Sequence, residues 1–200
     1  MNKRTLSTFL IGCGILLILA SAALVGYNIW DDIRARNEAD SVLSQLGELT
    51  LSPDAQAIPD YILNPEMDMP TVEIDGYRYI GTVSASSIGL ELPVMETWDY
   101  TRMTIAPCRY SGSAYLNNMI ICGHNYVSHL GSLRNLKIGD TVTFTDVDGN
   151  VFNYEVVQKE TLSATAVEEM QSGEWDLTLF TCTVGGQTRV TVRCMLKKNY

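Results

Sequence analysis

The sequence predicts an all-β domain, a barrel or a sandwich, carried behind one N-terminal transmembrane helix. Three observations carry this expectation. No charge interrupts residues 5–30. From about Tyr77 onward, short apolar or alternating runs recur between turn residues. Little of that region has helical periodicity, and many short strands with few helices specify a barrel or a sandwich.

The first element is the apolar segment. Residues 9–25 are Phe, Leu, Ile, Ala, Val and Gly with one Cys and one Ser. About 20 residues at 1.5 Å of rise span a bilayer's hydrocarbon core. Tyr27 and Trp30 stand where an interfacial aromatic belt belongs. Lys3 and Arg4 precede the segment and every acidic residue follows it. The positive-inside bias then puts the N-terminus in the cytoplasm and the domain outside the cell. Ala20-Ser21-Ala22 resembles a signal-peptide cleavage site, and Leu10-Ile11-Gly12-Cys13 a lipoprotein box. Apolar residues continue past the first to Ile29, and Cys13 lies inside the run. An uncleaved signal anchor over residues 1–30 is the reading.

Residues 31–49 read as a polar helix with Ile33, Val42, Leu43 and Leu46 as one apolar stripe. Pro53, Pro59, Pro65 and Pro70 then punctuate the chain, so residues 31–76 form a stalk or appendage. Residues 77–200 form the domain. Strands are expected at 79–83, 90–94 and within 118–123, the last holding the apolar run Met119-Ile120-Ile121-Cys122. Those at 141–144 and 151–157 flank Asp148-Gly149, a hairpin signal. Residues 163–170 suit one or two helical turns with Ser163 as N-cap. Strands at 177–182 and 188–196, joined at Gly185-Gly186, finish the chain.

Charge and cysteine content exclude several functions. The net charge is -9. Such a surface repels phosphate backbones, so nucleic acid is no partner. Without any C-x-x-C pair, the five cysteines suggest no structural zinc. Cys13 falls in the membrane segment; one bridge among Cys108, Cys122 and Cys194 stays open. Asp146 with Asp148, and Glu168 with Glu169, read as solvated carboxylates. Calcium is a minor alternative, and no EF-hand pattern supports it. No other cofactor or metal is expected.

Cys182 ends a predicted strand, just before a glycine turn, where a reactive group gains rigid support and open approach. Arg189 opens the next strand. Only two histidines occur, His124 and His129. A thiol near pKa 8.5 is mostly neutral at pH 7, and a nearby imidazole and guanidinium favour thiolate. A Cys, a His and an Arg at three strand ends would make an acyl-transfer site. Taken alone, Cys182 equally suits a buried apolar role, His124 a hydrogen-bonded core role and Arg189 a surface charge.

Thr178-Leu179-Phe180-Thr181-Cys182 resembles the sortase signature T-L-x-T-C. Cys122-Gly123-His124-Asn125 is similar to that family's G-H segment, and Arg189-Val190-Thr191-Val192-Arg193 to its Arg-led last strand. Leu92-Pro93-Val94 and Leu136-Lys137-Ile138-Gly139-Asp140 resemble two further landmarks, all in the family's order. The resemblance implies a closed β-barrel of about eight strands with short helices. It implies Cys182 as nucleophile, His124 as general acid and base, and Arg189 as donor to substrate or oxyanion. Thr181 and Arg193 are further substrate-binding candidates, because Arg193 shares a strand face with Arg189. His129 has no matched role and reads as loop surface. The expected donors are surface proteins bearing a C-terminal L-P-x-T-G-like sorting signal, and the acceptor a cell-wall precursor or pilin amine. The spacing after His124 and the short turn before Arg189 are most like class B or class D members. The competing functions are a cysteine peptidase on the same barrel and a non-catalytic surface binding barrel.

Overall fold

The computed structural model describes residues 3–49 and 58–197, with side chains from residue 7 onward. Pro53, one of the four prolines expected to punctuate the stalk, lies outside the described residues. The chain divides into two compact units, residues 1–34 and 35–200. Helix α1 (Lys3–Leu49) supplies most of the first unit. It is long and apolar enough to cross a membrane.

In the second unit α1 buries Ala35, Ala39, Val42 and Leu46. This i, i+4, i+7, i+11 spacing is one helical face. The stripe differs from the expected one: Ile33 is exposed and Leu43 only half-buried. Alanine at 35 and 39 lets the helix backbone approach its neighbours closely, which larger side chains would prevent.

The remaining elements are α2 (Asp60–Leu63), β1 (Val72–Ile74), β2 (Tyr77–Ala85), β3 (Leu90–Met95), β4 (Cys108–Ser111) and β5 (Met119–Gly123). They continue with β6 (Thr141–Asp146), β7 (Val151–Ser163), α3 (Val167–Gln171), β8 (Leu177–Cys182) and β9 (Thr188–Leu196). The sheet runs β2-β3-β4-β5-β8-β9-β7-β6, and β6 pairs back onto β2. That closes an eight-stranded barrel, with β1 as a short hairpin partner of β2. Closure leaves no free edge among the eight. Neighbours are antiparallel except β3 with β4 and β5 with β8.

Alternation sets the two faces of each strand. Met119 and Ile121 of β5, Leu177 and Leu179 of β8, and Val190, Val192 and Cys194 of β9 point into the main core. The opposite face carries Cys122 and Phe180, which join a second apolar cluster with Val42, Leu46 and Met95. Each fully buried aliphatic side chain contributes roughly 1.5–3 kcal/mol.

Strand β7 extends six residues past the expected end because β9 pairs with it as far as Ser163↔Thr188. Ser163 therefore ends a strand instead of capping a helix, and α3 starts at Val167. The hairpin at Asp148-Gly149 forms, with Gly149 at φ 83°. Asp146 is buried there. Its carboxylate accepts from the N–H groups of Asp148 and Asn150, the Asn150 amide and the Tyr115 hydroxyl.

Candidate active site at the ends of three strands

Strand register brings the site together. In the parallel β5–β8 pair Gly123 stands opposite Thr181. The next residues, His124 and Cys182, therefore leave the sheet at the same level and on the same outer face. In the antiparallel β8–β9 pair Cys182 stands directly opposite Arg189. All three line one cleft of about 230 Å³. Thus residues separated widely in sequence occupy three adjacent strand ends.

Two side chains brace this arrangement. Thr181 is buried and its hydroxyl donates to the Gly123 carbonyl at 2.9 Å, bolting β8 to β5 beneath the site. Asn125 Nδ2 donates to the Thr183 carbonyl at 3.4 Å, beyond the ends of both strands. Thr181 lines the cleft, yet its hydroxyl is committed to the backbone. Arg189 Nη1 donates to the carbonyls of Gly186 (2.9 Å) and Thr188 (3.1 Å), which holds the guanidinium at the hairpin.

Arg193 is not brought into the cleft. It shares the outer face of β9, but α3 covers it and only 2% of it is exposed. Its Nε donates to Glu160 Oε1 at 2.8 Å, Nη1 to the Met170 carbonyl and Thr178 Oγ1, and Nη2 to the Glu169 carbonyl. The group pins the end of α3 over the sheet. The reading of His129 as loop surface is also corrected. It is wholly buried, because the 3-10 turn Leu130–Asn135 folds it inward, with Nε2 3.3 Å from the Ala35 carbonyl.

The walls and floor were not evident in the sequence. Trp98, Tyr100 and Met103 from the β3–β4 connection form one wall, and Val167 and Met170 of α3 the other. Phe180 and Cys122 lie between them. Trp98 packs on Tyr110 at 5.4 Å between centroids, and Tyr110 on Phe180 at 5.5 Å. The exposed aromatics of an irregular segment were the available signal, but no periodicity tied them to a cleft.

All five cysteines are free thiols. Burial pushes the Cys108 and Cys194 thiols up to about 12, and raises Cys122 further still. Those three are neutral at pH 7 and poor nucleophiles. Cys182 is half-buried at the cleft. Among the described residues no three His, Cys, Asp or Glu side chains converge as a metal site.

The geometry has known relatives. The sortase domain family matches residues 83–197. The chain is similar in structure to sortase C1 of Streptococcus agalactiae, with a TM-score of 0.56 and 22% identity over 74% of this chain and 81% of that one. It is similar to the sortase D5 transpeptidase of Clostridium perfringens, with TM-score 0.57 and 17% identity over 81% and 97%. It also resembles sortase A of Corynebacterium diphtheriae, with TM-score 0.56 and 18% identity over 86% and 93%. No curated protein matches the sequence. Because the family's domain matches residues 83–197, more than half of the chain, and takes in Cys182, His124 and Arg189 at the ends of three barrel strands, the chain belongs to the sortases and is a cysteine transpeptidase.

Proposed function

We propose that the protein is a membrane-anchored sortase that cleaves an L-P-x-T-G-like sorting signal and transfers the acyl group to a cell-surface amine. The observation that carries this is the register placing His124, Cys182 and Arg189 at one cleft. The Cys182 thiolate attacks the scissile carbonyl carbon, and the C–N bond breaks as a thioester forms. His124 gives a proton to the leaving amine. An incoming amine then attacks the thioester and loses a proton to His124, and the Cys182 sulfur departs. Arg189 retains Nε and Nη2 for the substrate carbonyl or the developing oxyanion, since its Nη1 is held by the hairpin. Thr181 serves by holding the two strand ends together. The apolar part of α1 anchors the chain with its N-terminus in the cytoplasm and the domain outside. The donors are surface proteins with a C-terminal sorting signal, and the acceptor is a cell-wall precursor or pilin amine.

The test is a library of quenched L-P-x-T-G-type peptides incubated with the protein, with and without an added amine. Cleavage with diversion of the acyl group to the amine is expected, and Cys182→Ala abolishes both. Cleavage that the amine never diverts would show a peptidase instead. No cleavage, with no selective thiol labelling of Cys182, would leave a binding barrel.

A further inference from the structure

The segment that carries His124 is tied to α1 by a series of side chains that the chemistry above does not use. The His124 and Tyr126 rings lie 5.1 Å apart between centroids, at 38°. Tyr126 and His129 lie 5.4 Å apart and nearly edge-on, at 72°. Both spacings fall in the range where aromatic pairs attract. His129 Nε2 lies 3.3 Å from the Ala35 carbonyl of α1. A carbonyl only accepts, so Nε2 carries the hydrogen and the tautomer is set by the helix.

The backbone beneath these rings is wound tightly. The Tyr126 carbonyl accepts from the N–H groups of His129 (3.0 Å) and Gly131 (2.9 Å). A Cβ at Gly131 would stand 2.4 Å from the Asn125 carbonyl oxygen and 2.5 Å from that of Tyr126. The helical end of the series is equally fixed, because Ala35, Ala39, Val42 and Leu46 are buried in the same compact unit.

We propose that Tyr126 and His129 are positioning residues for His124, a ladder of rings anchored on a backbone carbonyl of α1 that holds the imidazole at the cleft. This rests on the reading of His124 as the proton-transfer group. Proton transfer demands tight geometry, and a misplacement of about 1 Å can cost about 100-fold in rate. His124 lies just beyond β5, off the regular ladder, so its orientation depends on neighbouring side chains. A leucine at position 129 would fill buried space without a polar group to satisfy. The imidazole adds a directed bond to α1 and an edge for Tyr126. The juxtamembrane part of α1 thereby becomes part of the frame of the active site.

The test uses the full chain and the peptide-transfer assay, with kcat and KM measured separately. His129→Phe keeps a ring and removes the anchoring N–H, whereas His129→Gln puts an amide N–H near the place of Nε2. Tyr126→Leu removes the middle rung at a half-buried position and is expected to leave the protein folded. Tyr126→Leu and His129→Phe are expected to lower kcat about 10-fold with KM within about two-fold, and His129→Gln to recover part of the loss. The thermal transition of each variant is recorded beside its kinetics. A kcat within about two-fold of the parent for Tyr126→Leu, whatever happens to the melting temperature, overturns the ladder. His124→Ala separates the two ideas. If it retains full turnover, the role of His124 fails; if it is inactive while the ladder variants are fully active, only the ladder fails.

Discussion

Arg189 and Arg193 stand four residues apart on one face of β9 and meet opposite surroundings. Arg189 reaches the cleft, and Arg193 is sealed beneath α3 against Glu160 and three other acceptors. Removing one partner of a buried ion pair costs about 3 kcal/mol. Arg193→Ala should therefore lower the unfolding free energy by about that amount in a urea titration. Arg189→Ala should leave the urea midpoint nearly unchanged and, on the donor role proposed for it above, lower kcat/KM about 100-fold. Periodicity placed both side chains on one face, but a strand pattern carries no information about which helix lies above it. Cys182 and His124 were legible because a short ordered signature marks them. His129 was not, because its burial depends on a turn and a helix remote in sequence.

At the level of elements, long strands with clear alternation were readable and short ones were not. Strands β1 and β4 have three and four residues, too few for a period of two to stand out. The second half of β7 is polar, and only its pairing with β9 makes it a strand. The 3-10 turn Leu130–Asn135 depends on Gly131, whose missing side chain admits two carbonyls. Gly131→Ala should cost about 2 kcal/mol by urea denaturation. It should also lower turnover, since the displaced oxygens belong to Asn125 and Tyr126 beside His124. A Gly131→Ala protein that is less stable yet fully active would separate the turn from the site.

The barrel as a whole closes where β2 meets β6, and Gly81 sits in that seam opposite Asp146. A Cβ there would stand 2.0 Å from the Thr145 carbonyl oxygen, so Gly81→Ala should cost about 2 kcal/mol or more. Interior thiols give the barrel a pH dependence. Burial raises the Cys108 and Cys194 thiols from the ordinary thiol range to about 12 on folding. Unfolded thiols ionise first, so this stability is present below about pH 9 and is lost as pH rises toward about 12. Urea midpoints measured across that window should fall. A thiol reagent at neutral pH should modify Cys182 before Cys108, Cys122 or Cys194, read by peptide mass mapping. The parallel pairing of β5 with β8 has one more effect, on the order of events during synthesis. Gly123 and Thr181 are 58 residues apart, and β8 must slot between β5 and the final strand. Contacts so distant in sequence form late, after the chain that joins them has been made. A partly synthesised or partly threaded chain thus carries His124 and later Cys182 without the register that brings them to one cleft. The cleft is complete only when the last strand pairs with β8 and sets Arg189 opposite Cys182.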